Sequence, residues 1–232
     1  MKIAVIGGGN VGKALAGSFT QAGHDVTISA SSPESAEEKA SHVGVRPAPT
    51  NRDAVASADV IVLAVWFSQG EEVAREIAEV ARGKVVIDVT NPLKPTYDGL
   101  VTEGGPSAAE HFAEWIPGAR VAKAFNTAFA SVQSNPSLHG VAADGFFATD
   151  DEEARRIVHE LVESIGFRAV DVGQLSMARY LEALHFINVA LNAANGWSWN
   201  TAYKLLGAPI PEPHGAGGSA RAEVETMSGR QV

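Results

Sequence analysis

Residues 2 to 22 read Lys-Ile-Ala-Val-Ile, then Gly7-Gly8-Gly9-Asn10-Val11-Gly12, then a segment in which Val11, Ala14, Leu15, Phe19 and Ala22 recur at helical spacing. An apolar strand, a glycine turn and an amphipathic helix in this order constrain the fold more than any other feature of the chain. In Gly7-x-Gly9-x-x-Gly12 the first glycine permits a tight turn and the second lets backbone approach a pyrophosphate. The third lets the helix pack closely on the strand. The helix N-terminus then faces the anion with amides that have no partner inside the helix. The expected ligand of Gly7, Gly8, Gly9, Asn10, Val11 and Gly12 is a nicotinamide dinucleotide.

The rest of the chain repeats the theme. Short Val/Ile-rich runs at Asp25 to Ser29, near Val45, at Val60 to Val65, Val85 to Thr90, Arg120 to Phe125, Gly145 to Ala148 and Arg168 to Val172 alternate with segments of helical period. That alternation generates an α/β fold of the Rossmann type, a doubly wound, mostly parallel sheet with helices on both faces. Helices are expected over roughly 33 to 42, from a cap at Asn51, from a Ser68 and Glu71 capping box to about Arg82, from about Ser107, and from Asp150 and Glu153 to Gly166. The Pro, Gly and Thr content of Asn91 to Gly105 marks a long loop, and its length points to a functional one. A small helical C-terminal appendage follows the last strand. The expected division is a dinucleotide-binding domain over 1–173, a helical segment over 174–210 in contact with the crevice or a partner subunit, and a flexible tail over 211–232.

Composition narrows the partners. With 18 Lys and Arg against 27 Asp and Glu, the net charge of -9 repels nucleic acid and anionic membranes, so neither is an expected partner. The sequence holds no cysteine, which excludes disulfides, thiolate metal sites and thiol nucleophiles and fits a reducing cytoplasm. A strand-like run from Lys2 leaves no room for a secretion signal, so the mature chain is expected to start here. The apolar stretch from Ala183 to Ala194 is interrupted by His185, Asn188 and Asn192 and is too short to span a bilayer. A soluble cytoplasmic protein acting on a small-molecule redox substrate is the expectation.

The choice between NAD and NADP is read at the end of the second strand, where an acid would bond a ribose diol. Ser29, Ala30, Ser31 and Ser32 stand there instead. No carboxylate repels a 2′-phosphate, and hydroxyls with a helix N-terminus near Pro33 are available to receive one, so NADP (NADPH) is the expected cofactor. Ligands of open α/β sheets bind beyond the carboxyl ends of the strands. Val65 and Trp66, and Asn91 and Pro92, therefore complete the cofactor set, while Trp66, Lys123, Asn126 and Thr127 are the substrate candidates. If the fifth and sixth strands are neighbours, Asn91 lies beside Asn126 and Asp88 beside Lys123. Buried charges must be paired, so Asp88 and Lys123 form either a structural ion pair, the preferred reading, or part of a polar site. No metal-ligand cluster is apparent, and no side chain is assigned as catalytic.

Over about 200 residues the chain resembles the NADPH-dependent reductases of the deazaflavin coenzyme F420, whose fold recurs in the reductase domain of the membrane ferric reductases. The resemblance runs through Gly7 to Gly12, Val85 to Pro92, Ser107-Ala108-Ala109-Glu110, Val121 to Thr127, and Gly173-Gln174-Leu175-Ser176 with Arg179 and Glu182. It implies direct hydride transfer between the nicotinamide of NADPH and a deazaflavin (F420) or flavin held face to face, chemistry that requires no nucleophile or metal. His111 and His185 are the only proton-donor candidates, and a structural role is preferred for each. Two departures stand out. Ala30-Ser31 replaces the family's Ser-Arg at the 2′-phosphate. Lys123-Ala124-Phe125-Asn126 is nearer the ferric-reductase pattern than the reductases that carry His in that loop.

From Ala183 to Tyr203 the chain carries no charged residue, while His185, Asn188, Asn192 and Asn195 share one helical face. That stripe is expected against a partner subunit of a homodimer, with crevice lining as the second placement. Beside the deazaflavin or flavin reductase stand two other readings, an NADPH-dependent reductase of a small imine or carbonyl and a non-catalytic NADP-sensing protein. The imine and carbonyl reductases with a similar opening carry a larger helical domain than the residues after the last strand allow.

Overall fold

A computed structural model describes residues 1–207. Eight strands form one sheet in the order β10-β9-β6-β5-β4-β1-β2-β3. They are β1 (Lys2–Ile6), β2 (Asp25–Ser29), β3 (Arg46–Pro47), β4 (Val60–Leu63), β5 (Val85–Asp88), β6 (Arg120–Ala124), β9 (Asp144–Thr149) and β10 (Arg168–Asp171), while β7 (Ser137–Leu138) and β8 (Val141–Ala142) make a separate small hairpin. β1 to β6 are parallel, and β9 pairs with β6 antiparallel, so the sheet is mostly parallel and Rossmann-like, as the strand alternation predicts. Strand order reverses between β1 and β4, which opens a crevice at their carboxyl ends.

β4, at the centre of the sheet, is apolar throughout because both its faces are covered. In β4, Val60 and Val62 pack into one core with Phe19, Phe125 and Phe147, and Ile61 and Leu63 pack into the other with Ile77 and Phe112. The first core lies under α1 (Asn10–Gln21) and α7 (Glu152–Ser164), the second under α4 (Phe67–Ala81) and α5 (Ala108–Trp115). Each such side chain, fully buried, contributes about 1.5–3 kcal/mol. The remaining helices are α2 (Pro33–Val43), α3 (Asn51–Ala56), α6 (Ala130–Ser134) and α8 (Ala178–Asn195), the last preceded by a 3-10 turn at Leu175–Met177.

Several helix starts differ from expectation. Ser68 and Glu71 do not form a capping box, since α4 begins at Phe67 with Trp66 in the cap position and no side-chain cap. Thr50, not Asn51, caps α3, and the Asn51 side chain instead accepts from the Ser29 hydroxyl and donates to Glu76. Asp151, not Asp150, caps α7 through the Ala154 amide at 2.9 Å, which frees Asp150 to accept from the Leu175 amide at 3.0 Å. In the last two cases the residue expected as the cap is claimed by a long-range partner. α6 and the small hairpin have no periodicity long enough to announce them.

Three residues of the C-terminal stripe, expected against a partner subunit, are buried within their own chain. Asn192 donates to Thr201 Oγ1 at 2.6 Å and accepts from the Trp199 amide at 3.2 Å, and the Thr201 hydroxyl donates to Asn188 Oδ1 at 2.7 Å. His185, Asn188 and Asn192 are consequently buried, while Asn195 stays exposed. The opposite face of α8 exposes Tyr180, Ile187 and Leu191. Of the expected 174–210 segment, α8 ends at Asn195 and residues 197–205 are neither helix nor strand. The expected tail over 211–232 lies outside the described residues.

Candidate functional site

The glycine turn sits at the switch point. Gly7 has φ +106°, and its amide donates to the Ser29 carbonyl at 3.0 Å, tying the turn to the end of β2. A Cβ at Gly7 would overlap the Ala64 carbonyl beyond β4, and one at Gly12 would overlap the carbonyl of Gly7. Those two glycines are demanded by the protein itself. Gly9 is not: its φ of -70° is open to any residue, and a Cβ there would meet nothing within 4 Å. It leads α1, whose N-terminus has no side-chain cap and no acid in its first turn. Unclaimed first-turn amides beside an unobstructed glycine fit a bound pyrophosphate, so the residues present suit the dinucleotide the spacing predicts.

At the β2 exit the four serine-cluster residues part company. Ser29 is fully buried, its hydroxyl donating 2.7 Å to Asn51 Oδ1, so it faces the interior and not a ribose. Ser31 is exposed, and Ala30 and Ser32 are half-buried, with Ser32 Oγ accepting from the Ser35 amide at 3.2 Å. Beyond β4, Val65 is half-buried and Trp66 is 69% exposed, its ring free of the core. Beside it Phe67, His111 and Trp115 make a stacked aromatic group across α4 and α5, which gives His111 its place.

β5 and β6 are neighbours in the expected register, with Asp88 opposite Lys123. Just past their ends Asn91 Nδ2 donates to the Asn126 carbonyl at 3.0 Å, and Asn126 Nδ2 donates to Asn91 Oδ1 at 2.9 Å and to the Leu181 carbonyl at 3.0 Å. The two asparagines thus clamp both exits to each other and to α8. Pro92 and Thr127 are buried next to them. Phe125, at φ +60°, sits left-handed just before Asn126, and the buried Gln133 steadies that turn by donating to the Phe125 and Ala128 carbonyls at 3.0 and 3.1 Å.

Lys123 is fully buried and belongs to an ion cluster, not to the open crevice where the sequence placed it as a substrate candidate. Its ammonium lies 2.8 Å from both Asp88 Oδ2 and Glu182 Oε1 and donates to the Thr90 carbonyl at 2.6 Å. Burial works against its charge, but the two carboxylates outweigh burial and hold its pKa above the ordinary lysine value. Burial pushes the Glu182 carboxyl up, against the pull of Lys123. Asp88 Oδ1 accepts from the Thr90 amide at 2.7 Å, and Glu182 Oε1 accepts from the Ala108 amide at 2.9 Å. The structural ion-pair reading of Asp88 and Lys123 therefore holds, with a third member supplied by α8.

The joint between α5 and α8 is completed by Arg179, which donates to both oxygens of Glu110 at 2.7 and 2.6 Å. Arg179 holds the Glu110 carboxyl down to about 2. Ser107 and Glu110 form a true capping box at the start of α5. The Ser107 to Glu110 and Arg179 to Glu182 segments thus form a seam that docks α8 over the ends of β5 and β6. His185, one turn beyond Glu182, is pushed down to about 4 by burial, with the Lys123 charge adding to it, so its ring is neutral near pH 7. Among the described residues, five buried side-chain atoms have no partner, Gln133 Oε1 and four that belong to this corner of the crevice: Thr90 Oγ1, Asn126 Oδ1, Glu182 Oε2 and His185 Nδ1.

A Rossmann sheet, an uncapped glycine-led helix at the switch point, and a polar corner closed by an appended helix define a dinucleotide-dependent oxidoreductase. The family model for the coenzyme F420-dependent NADP oxidoreductases matches residues 2–92. The F420-dependent NADP reductase of Methanothermobacter thermautotrophicus is 38% identical over 214 residues, covering 84% of this chain and 90% of that protein. The chain belongs to this coenzyme F420-dependent NADP oxidoreductase family. A solved structure from Arthrobacter sp. FB24 superposes with TM-score 0.80 at 28% identity, covering 88% of this chain and 100% of that one. The metalloreductase STEAP3 of Rattus norvegicus is 28% identical over 79% of this chain, which spans 36% of that longer protein.

Proposed function

We propose that the protein transfers hydride between NADP(H) and a flat deazaflavin, coenzyme F420, in the crevice beyond β4, β5 and β6. The observation that carries this reading is Gly9, a position that no contact within the protein obliges to be glycine, in a chain that shares 38% identity with an F420-dependent NADP reductase. Bound there, the dinucleotide supplies a hydride donor or acceptor. The chain's own work is placement. Gly7 to Gly12 and the amides of α1 grip the pyrophosphate, Ala30, Ser31 and Ser32 lie toward the adenosine, and Val65, Trp66, Asn91 and Pro92 stand at the nicotinamide end. Trp66, Asn126 and Thr127 are assigned to the acceptor, and Lys123 to the support beneath them. Holding two rings in register replaces a bimolecular encounter and lowers the barrier by several kcal/mol, at most about 7–11.

The Lys123-Ala124-Phe125-Asn126 run favours a second reading, a flavin as acceptor, because it follows the pattern of the membrane ferric reductases that the chain also resembles. The division into a dinucleotide-binding domain and a helical segment that closes the crevice belongs to the same proposal, as does action in the cytoplasm. A homodimer is placed on the apolar outer face of α8, at Tyr180, Ile187 and Leu191, in place of the polar stripe, and sedimentation at micromolar concentration checks it. The activity is tested by mixing protein and NADPH with a deazaflavin, a flavin and a simple cyclic imine in separate reactions, following the reduced nicotinamide absorbance. Fastest turnover with the deazaflavin is expected. Turnover with the imine alone would overturn the reading, and tight NADPH binding with no turnover of any acceptor would replace it with a sensor.

A further inference from the structure

We infer that Lys39, on the second half of α2, supplies the positive charge that recognises the 2′-phosphate of NADP and so sets the preference for NADPH over NADH. The inference rests on the proposed dinucleotide site and concerns its adenosine end. No arginine occurs between residues 29 and 45 to fill that role. The N-terminus of α2, which the sequence offers as a phosphate receiver, is already occupied. Pro33 has no N–H, the Ser35 amide donates to Ser32 Oγ, and the Glu34 carboxylate is held low by its own backbone amide and by Ser32. That helix end is closed by its own side chains, so the phosphate's charge must be met from elsewhere.

Lys39 is the side chain in reach. Its stem lies across the glycine turn, so that a Cβ at Gly8 would stand 2.7 Å from Lys39 Cγ and 3.6 Å from the Ala30 Cβ. The second residue of the turn, the first residue after β2 and a lysine from α2 therefore converge on one spot, at the strand end where the adenosine ribose is expected. Gly8 lacks a side chain because the lysine stem fills its place. The ammonium pairs with Glu38 at 2.9 Å, a contact with an exposed carboxylate that is worth little and is readily exchanged for a doubly charged phosphate. Lys13 and His42 also lie close enough to Glu38 to lower its carboxyl, after the larger effect of Lys39, so the basic groups here outnumber this acid.

Equilibrium titration of the full chain with NADPH and with NADH tests the assignment. Wild type is expected to bind NADPH more tightly. Lys39→Met keeps the stem over Gly8 and removes the charge. It should weaken NADPH binding about 10- to 100-fold, the range for a hydrogen bond to a charged group, and leave NADH binding unchanged. Lys39→Arg should keep the preference. An unchanged preference in Lys39→Met, an equal loss for both dinucleotides, or a wild type that prefers NADH would each overturn the role of Lys39 while leaving the dinucleotide site standing. A wild type that binds neither would overturn the site itself, and this role with it.

Discussion

Replacing Lys123 by Met removes the cation of the buried cluster while keeping nearly the same volume. Asp88 and Glu182, both buried and each 2.8 Å from the lost ammonium, would then share the interior with no counter-charge. Breaking a buried pair by deleting one partner costs about 3–5 kcal/mol. Because two carboxylates are stranded here, the upper half of that range is expected. Against a total stability of about 5–15 kcal/mol this is a large loss, and it should lower Tm by about 8–20 °C for a chain of this size. The loss is tied to pH. Without the cation, the folded carboxyls hold protons more tightly than the unfolded ones, so the folded state binds more protons and its stability rises as pH falls toward the carboxyl range. Urea unfolding of wild type and Lys123→Met at pH 7 and pH 5 reads both effects, and adding Glu182→Gln should recover part of the deficit. A deficit below about 1 kcal/mol at pH 7, or one that is identical at pH 5, would refute the account.

Other outcomes follow from particular contacts. Gly9→Val should abolish dinucleotide binding at nearly unchanged Tm, because a Cβ there meets nothing within 4 Å, whereas Gly12→Val should unfold the chain by driving into the Gly7 carbonyl; calorimetry with and without NADPH separates the two. His185 is held at about 4 against an ordinary 6.5, so the unfolded chain takes up its proton first and stability falls as pH drops from about 6.5 to 4, by up to about 3 kcal/mol; His185→Gln should flatten that part of the pH profile. Trp66→Ala, at a position 69% exposed, should leave Tm unchanged and raise the KM for the ring acceptor by about 2- to 12-fold if its ring stacks there, as steady-state kinetics will read.

The polar corner shows where tertiary structure had to decide. Asp88 and Lys123 could be paired in advance because two parallel neighbours of known exit must align in one register, and both residues stood out as charges inside apolar strands. Glu182 carried no such mark. It is one acid on a helix far along the chain, and only the docking of α8 onto α5 makes it the second counter-ion of Lys123. The same holds for the His185, Asn188 and Asn192 stripe. Helical spacing put these residues on one face, but nothing local said that residues 199–201 would fold back to cover it.

What the sequence by itself determined is the strand, glycine turn and helix of the opening, the alternation that builds the parallel sheet, and the position of the crevice beyond the strand ends. These follow from backbone sterics and from periods of two and 3.6, which act within a few residues. Only the tertiary structure decided which polar groups are spoken for. It turned Ser29 inward, laid Lys39 over Gly8, and buried Lys123 beneath the crevice floor. Each depends on a partner distant in sequence, and a buried charge or hydroxyl takes whichever partner the packed fold brings within 3 Å of it.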